Sequence, residues 1–224
     1  MYKVAIAGAN GKMGQIAKQA ITELTEFELV ALITSADDIE LELTRTKPDI
    51  LLDVTRPEFA FEHAKLALRH KIKPIIGTSG LNEQAVLNLN AINQDVGAII
   101  APNFSISALL MLKFAEFAAH YFESIDIIEE HHQAKLDAPS GTAIKTAELC
   151  QTKNIHSIRR AGVIAKQSII MANNSECLTI AQESLSRNSF IKGIQLACKS
   201  VISTTEVIYG LERFITGKNF ANMV

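Results

Sequence analysis

Several features that mark particular protein classes are missing from this 224-residue sequence. Lysine and arginine total 22 against 24 aspartates and glutamates, the net charge is −2, and the basic residues form no dense run. This balance argues against a nucleic-acid-binding protein. No apolar stretch is long enough to span a bilayer, and the strand-like run YKVAIAG at the start is not the pattern of a signal peptide. We therefore expect neither nucleic acid nor a membrane as a partner.

Cysteine is also scarce, with Cys150, Cys177 and Cys198 as its only positions. Their odd number and wide spacing match neither a disulfide framework nor a zinc site. This use of cysteine favours a reducing, cytoplasmic setting and no bound metal. Internal repeats and low-complexity segments are absent as well, so the length indicates one large domain or two small ones.

A glycine-rich turn lies between the first strand-like run and a helical pattern. Its residues are Gly8, Ala9, Asn10, Gly11, Lys12, Met13 and Gly14. Glycines there let a phosphate approach the backbone N–H groups, and the helix N-terminus presents its positive end to that phosphate. A Walker A loop would need Ser or Thr after Lys12, but Met13 follows. The turn predicts a dinucleotide site, and an ordinary turn without a ligand is the alternative.

Strands and helical patterns alternate through the first half of the chain. The later strand segments are residues 27–34, 49–55, 73–80 and 96–102. This alternation predicts a Rossmann-like, doubly wound parallel sheet, which binds ligands at the carboxyl ends of its strands. Those ends carry small or polar residues that together favour one crevice. They are Thr34, Ser35, Thr55, Arg56, Pro57, Gly77, Thr78, Ser79, Pro102, Asn103 and Phe104.

The second half has a different pattern. A long amphipathic helix is predicted over 105–122, and strands follow at 124–130, 156–172 and 176–185. This order predicts an α+β domain with its own mixed or antiparallel sheet. The helical pattern from Ile191 is expected to return to the first domain. The predicted division is therefore 1–103, 104–190 and 191–224.

The loop after the 124–130 strand reads HHQAKLDAPSGTA and begins at His131. Ser140 is a suitable N-cap, so we expect the next residues, Gly141 and Thr142, to lie at a helix N-terminus, whose N–H groups would suit a carboxylate. His131 can exchange a proton near neutral pH, and Lys135 adds a positive charge.

Other interpretations of this loop stay open on spacing alone. A solvated loop is about as well supported as a catalytic one. A metal site on His131, His132 and Asp137 is disfavoured, because zinc sites normally need three or four ligands in good spacing and no third His or Cys lies nearby in the sequence. A different two-domain dehydrogenase would not need the His-His-x-x-Lys pattern. A non-enzymatic dinucleotide sensor would have no use for both His131 and Lys135.

The run EEHHQAKLDAPSGTA resembles the signature of the 4-hydroxy-tetrahydrodipicolinate reductase (dihydrodipicolinate reductase) family, E-x-H-H-x-x-K-x-D-A-P-S-G-T-A. The runs GANGKMG, DVTRPE, GTSG, APNFS and SRNSF resemble its other motifs, so the resemblance covers the whole chain. It implies reduction of the cyclic imine derived from 4-hydroxy-tetrahydrodipicolinate, with NADPH or NADH, in lysine (diaminopimelate) biosynthesis. It also implies a small dicarboxylate substrate and a cytoplasmic homotetramer joined through the sheet of the second domain.

The resemblance assigns roles to individual residues. His131 would be the general acid and Lys135 the second catalytic residue. The substrate carboxylate would be bound by His132, Gly141 and Thr142, and Ser140 is a further candidate because of its position at the helix N-cap. Cofactor contacts would come from Gly8 to Met13, Gly77, Thr78, Ser79, Ala101, Pro102, Asn103 and Phe104. Thr34 and Ser35 are further candidates for cofactor contacts because of their position at the end of the second strand, not because of the resemblance.

One feature departs from the family pattern. An acidic residue usually ends the second strand, about 20 residues after the glycines, and binds the ribose hydroxyls of the cofactor. Thr34 and Ser35 stand there instead, and Asp37 and Asp38 come slightly later. Because neutral hydroxyls repel a 2′-phosphate less than a carboxylate does, and Lys12 adds positive charge, we expect both cofactors to work, with NADPH equal or somewhat better.

Overall fold

The structure is a computed structural model that describes residues 1–78, 80–81 and 83–215. The chain forms two compact units. The first contains Met1–Phe104 and the described residues from Phe190 onward, and the second contains Ser105–Ser189. Within the described part of the chain, no helix has both the length and the apolar character needed to cross a bilayer.

The first unit is built on a six-stranded parallel sheet with helices packed on it. Its strands are β1 (Tyr2–Ala7), β2 (Phe27–Ile33), β3 (Ile50–Asp53), β4 (Lys73–Ile76), β5 (Ala98–Ile100) and β10 (Val207–Tyr209). Its helices are α1 (Lys12–Thr22), α2 (Ile39–Thr46), α3 (Pro57–Arg69), α4 (Glu83–Asn90) and α7 (Ile191–Ile202). The predicted doubly wound sheet is confirmed.

The strand order of this sheet is β10-β5-β4-β3-β1-β2. The chain adds β2 on one side of β1 and then β3 on the other side, so the order reverses between β1 and β3. Sheets of this kind bind ligands at the carboxyl ends of the strands beside that reversal. The topology therefore directs a ligand to the ends of β1, β2 and β3.

Apolar burial on both faces holds the sheet of the first unit together. The central strands are nearly continuous apolar runs, as parallel strands between helices require. Helix α3 presents small residues to the sheet, and Ala60, Ala64 and Ala67 are all at most 1% exposed. Small side chains let this helix lie close to the strands, so the strand ends are held at fixed positions.

The second unit is a four-stranded sheet with two helices. Its elements are α5 (Ile106–Ala119), β6 (Ser124–His131), α6 (Gly141–Leu149), β7 (Ile155–Arg159), β8 (Ala165–Ala172) and β9 (Cys177–Ser184). The strand order is β7-β6-β8-β9. β7 is parallel to β6 and the other pairs are antiparallel, so the sheet is mixed. This agrees with the predicted α+β fold.

Candidate active site

The glycine turn joins β1 to α1 with a backbone that only glycine fits at two positions. Gly8 has φ +83°, in the left-handed region. A Cβ on Gly14 would lie 2.6 Å from the carbonyl oxygen of Ala9 and would also overlap that of Gly8. The turn can therefore pack under the first turn of α1 only because both residues lack a side chain.

The N-terminus of α1 is open to an anion. Gly11 is its N-cap residue, and no side chain caps it. The first N–H groups of a helix, here from Lys12 onward, have no acceptor within the helix, and they carry the positive end of the helix dipole. The N–H groups of Gly8 and Ala9 donate to the carbonyl of Ile33 at 3.0 and 3.1 Å, which ties the turn to the end of β2. This arrangement suits a pyrophosphate group.

A cleft of about 690 Å³ opens beside this turn, within the size range of small-molecule sites. Five of the predicted cofactor residues line it, namely Gly8, Asn10, Gly11, Thr34 and Ser35. Thr55 and Arg56, which the sequence also placed at this edge of the sheet, line it too. The remaining lining residues are Ala7, Ile33, Asp37, Ile39, Val54, Phe59 and His63. The cleft thus offers apolar walls together with a few polar groups.

The other predicted cofactor residues are not among those that line this cleft. Ala9, Lys12 and Met13 belong to the turn, Gly77 and Thr78 follow β4, and Ala101, Pro102, Asn103 and Phe104 follow β5. The ring of Phe104 is buried and would lie 2.5 Å from a Cβ on Gly77, so these two segments pack on each other. Ser79 lies outside the described residues. Cofactor contacts from these positions stay predictions.

Two residues of this region were not predicted from the sequence, namely His63, which lines the cleft, and the buried acid Asp53, to which it is bonded. The carboxylate of Asp53 ends β3 and is 1% exposed. It accepts the N–H and the hydroxyl of Thr55 at 2.8 and 2.5 Å, and it lies 2.6 Å from Nδ1 of His63. His63 also stacks on Phe59, with ring centroids 6.3 Å apart. The spacing of Phe59 and His63 could have indicated this site in the sequence. Residues four apart lie on one face of a helix, and this helix follows the end of a strand.

In the second unit, His131 ends β6 and is paired with a buried carboxylate. Nδ1 of His131 lies 2.5 Å from Oε2 of Glu129, a residue with no exposed surface. Arg159, on the neighbouring β7, donates to both oxygens of Glu129 at 3.0 and 2.9 Å. A carboxylate held by a bidentate guanidinium stays ionised. We therefore assign the Nδ1 proton to His131, which leaves Nε2 to exchange a proton with a ligand.

Burial and charge act in opposite directions on the two groups of this pair. Burial lowers the pKa of His131, while Glu129 raises it, and burial prevails. Burial tends to raise the pKa of Glu129, but the interactions with Arg159, Ser157 and His131 together outweigh it, so that pKa is lowered. Glu129 is therefore ionised, and the protonated imidazole of His131 loses its second ring proton at a lower pH than an ordinary histidine does.

The turn before α6 is connected to the same carboxylate. The hydroxyl of Ser140 accepts the N–H of Ala143 at 3.3 Å, which caps the helix, and the N–H of Ser140 donates to Oε1 of Glu129 at 3.3 Å. A Cβ on Gly141 would meet nothing within 4 Å, so space is open next to this helix N-terminus. The predicted cap and the predicted anion-binding turn thus lie within one network with His131.

Lys135 is ion-paired with Asp137. Its Nζ donates to the two carboxylate oxygens at 2.8 and 2.7 Å, and this pair lowers the pKa of Asp137. The carbonyl of Asp137 accepts a hydrogen bond from Arg159 at 2.7 Å, which links the loop to β7. His132 is half-buried beside His131. In the described residues, no group of three or more His, Cys, Asp and Glu side chains is placed to hold a metal ion.

Two family models match consecutive parts of the chain. The model for the N-terminus of dihydrodipicolinate reductase matches residues 2–104. The model for the C-terminus of the same protein matches residues 107–215. The first match lies within the part of the first unit that ends at Phe104. The second match covers almost all of the second unit and the described residues of the first unit that follow it.

Curated relatives are similar over almost their full length. The 4-hydroxy-tetrahydrodipicolinate reductase of Coxiella burnetii (strain RSA 493 / Nine Mile phase I) is 41% identical over 235 residues, which covers 95% of this chain and 98% of the relative. The reductase of the same name from Legionella pneumophila (strain Corby) is 38% identical over 240 residues, with 95% and 99% covered.

Solved structures show the same similarity. A dipicolinate-bound dihydrodipicolinate reductase from Paenisporosarcina sp. TG-14 matches with a TM-score of 0.84 and 34% identity, covering 95% of this chain and 99% of that one. A probable dehydrogenase from Thermotoga maritima matches with a TM-score of 0.67 at 12% identity, covering 95% and 92% of the two chains. The second match is a likeness of fold alone.

Proposed function

The chain belongs to the dihydrodipicolinate reductase family, and from this premise we propose that it reduces the cyclic imine derived from 4-hydroxy-tetrahydrodipicolinate to tetrahydrodipicolinate. The donor is NADPH or NADH, and the step belongs to lysine (diaminopimelate) biosynthesis. The observation that carries the proposal is the complete His-His-x-x-Lys-x-Asp-Ala-Pro-Ser-Gly-Thr loop, with His131 bonded to the buried Glu129.

The first unit holds the dinucleotide. The N-terminus of α1, where Gly8 and Gly14 let the backbone approach, would hold its pyrophosphate. Thr34, Ser35 and Asp37 line the cleft that would hold the adenosine half. A bound nicotinamide supplies the hydride for the reduction. Glycines 8 and 14 and a cleft of about 690 Å³ fit such a ligand.

The second unit holds the dicarboxylate substrate. One carboxylate binds at the N-terminus of α6, where Gly141 leaves open space. It accepts hydrogen bonds from the N–H groups of Gly141 and Thr142. His132 and Lys135 contribute further hydrogen-bond donors, and Lys135 also contributes a positive charge. Lys135 has three N–H donors, so its ion pair with Asp137 can be shared with or replaced by a substrate carboxylate. The dipicolinate bound to the Paenisporosarcina enzyme is a planar dicarboxylate of this kind.

His131 supplies the proton. The reduction adds a hydride to one carbon of the conjugated imine and a proton to its neighbour, so the product gains two hydrogens. Glu129 keeps Nδ1 protonated, and the proton that is transferred leaves from Nε2. Lys135 stabilises the negative charge that develops before protonation. Arg159 keeps Glu129 ionised throughout.

The chain works as a cytoplasmic homotetramer in this proposal. The sheet of the second unit carries exposed apolar side chains, including Ile158 on β7 and Leu178 on β9. Apolar residues on an open sheet suit an interface between subunits. Sedimentation at micromolar concentration would test this, and a species with the 24.5 kDa mass of one chain would contradict it.

Genetic complementation tests the proposed reaction. A bacterial strain that lacks this reductase and depends on added diaminopimelate should grow without it when it expresses the chain. The His131→Gln variant, expressed to the same level, should not restore growth. Failure of the wild-type chain to restore growth, with soluble protein present, would contradict the proposal.

A further inference from the structure

Asp37 is folded back onto the end of β2 and lines the cleft of the first unit. Its Oδ2 atom accepts the N–H of Thr34 at 2.8 Å and the hydroxyl of Thr34 at 2.7 Å. The N–H of Asp37 donates to the carbonyl of Thr34 at 3.2 Å. These three bonds close residues 34–37 into a turn. Asp37 lines the same cleft as Gly8 and Asn10, although it comes later in sequence than the usual acid.

The hydrogen bonds of this turn limit those that Thr34 can donate to a ligand. Both polar hydrogens of Thr34 are used by Asp37, so they are not available to a phosphate group. Each oxygen of a carboxylate accepts more than one hydrogen bond. In the part of the chain that the structure describes, the bonds from Thr34 go to Oδ2, and Oδ1 accepts none. Oδ1 can therefore accept a hydroxyl from a ligand.

The carboxylate of Asp37 is also ionised near neutral pH. The hydrogen bonds from Thr34 lower its pKa below the ordinary value of an aspartate. The ribose of NADH carries a neutral 2′-hydroxyl that donates to a carboxylate. The same position in NADPH carries a phosphate of about −1.5 to −2 charges, which a carboxylate at close range repels.

We infer that Asp37 sets the cofactor preference of this chain, because it accepts the adenosine-ribose hydroxyls of NADH and repels the 2′-phosphate of NADPH. This inference rests on the proposed function. It reverses the slight preference for NADPH that the neutral side chains of Thr34 and Ser35 suggested. Thr34 then acts as the residue that orients the acid rather than as the ribose-binding residue itself.

Arg56 is the competing group, because it lines the same cleft and carries a positive charge. If Arg56 bound the 2′-phosphate, NADPH would bind more tightly than NADH. Replacement of Asp37 would then change the preference little. The preference of the wild-type chain and its response to Asp37 variants therefore separate the two possibilities.

Binding of NADH and NADPH to the full-length chain, measured by calorimetry without substrate, tests the inference directly. The wild-type chain should bind NADH about tenfold more tightly than NADPH or better. Asp37→Asn removes the charge but keeps the size, and this preference should fall about tenfold. Asp38→Asn is the matched control, because Asp38 caps α2 through Leu41 and is not among the residues that line the cleft. Asn is an equally good cap, so the preference should be unchanged.

Each outcome of this experiment supports or overturns the role of Asp37. A wild-type preference for NADPH, or equal effects of the two substitutions, would overturn the role of Asp37 and leave the proposed function intact. Binding of neither dinucleotide would overturn the proposed function, and the inference with it. A loss of NADH preference in Asp37→Asn alone is the result that we expect.

Discussion

Nδ1 of His131 lies 2.5 Å from the carboxylate of Glu129, which has no exposed surface and also accepts hydrogen bonds from the two terminal guanidinium nitrogens of Arg159. Burial of the imidazole lowers its pKa more than Glu129 raises it. The ring is thus fixed in one tautomer. In the chain without ligand, it loses its second ring proton at a lower pH than an ordinary histidine does.

The pH profile of kcat/KM should reflect this lowered pKa. This parameter reports the free enzyme, and a general acid must be protonated to act. Activity should therefore fall as pH rises, with a midpoint below the ordinary histidine value of about 6.5. Glu129→Gln removes the interaction that raises the pKa, so its midpoint should shift to still lower pH. A wild-type midpoint above that ordinary value would contradict the arrangement.

His131→Gln should separate catalysis from binding. General acids contribute about 10²- to 10⁴-fold to rate, so kcat should fall by that factor. The affinity for dipicolinate should change little, because the helix N-terminus at Gly141 is retained. Stopped-flow rates and calorimetry measure the two quantities. A variant with near wild-type kcat would remove His131 from its proposed role.

Lys135 and Asp137 should have opposite effects on dicarboxylate binding. Lys135→Ala removes the cation, so kcat should fall and dipicolinate should bind more weakly. Asp137→Asn removes the competing carboxylate of the ion pair, so dipicolinate should bind as tightly as to the wild type, or more tightly. Titration of both variants with dipicolinate is the measurement. Unchanged affinity in Lys135→Ala would mean that Lys135 does not contact a carboxylate.

Gly14→Ala should disturb the glycine turn. The added Cβ would overlap the carbonyl oxygens of Gly8 and Ala9, so overpacking of about 1–3 kcal/mol is expected. Dinucleotide affinity should fall as well, because the N-terminus of α1 would shift. Gly141→Ala, where a Cβ meets nothing within 4 Å, is the control and should leave thermal stability almost unchanged. Equal Tm values for the two variants would contradict the packing described here.

Periodicity and turn residues were sufficient to predict most of the sheet of the first unit. The turn at Gly8 and the strands that follow it carry local signals, and α1 and α5 begin close to where their patterns predicted. β10 was not predicted, because Val207–Tyr209 is too short to show a period and depends on pairing with β5. The predicted strand over 156–172 is two strands, since Gly162 has φ +79° and turns the chain between them.

Contacts between distant residues explain what the sequence could not show about the site. His131 and the hydroxyl-rich turn were visible because they are neighbours in sequence. Arg159 is 30 residues from Glu129 and meets it only because β7 pairs in parallel with β6. The pair of Asp53 and His63 likewise depends on how α3 packs after β3.

Reduction of the cyclic imine with a nicotinamide cofactor is the reaction that we propose for this chain. The most direct test follows the absorbance of reduced nicotinamide while freshly prepared 4-hydroxy-tetrahydrodipicolinate is added to the purified chain. We expect one cofactor to be oxidised for each tetrahydrodipicolinate formed, no oxidation without the substrate, and inhibition by dipicolinate. Absence of substrate-dependent oxidation with both NADH and NADPH, in protein shown to be folded, would contradict the claim.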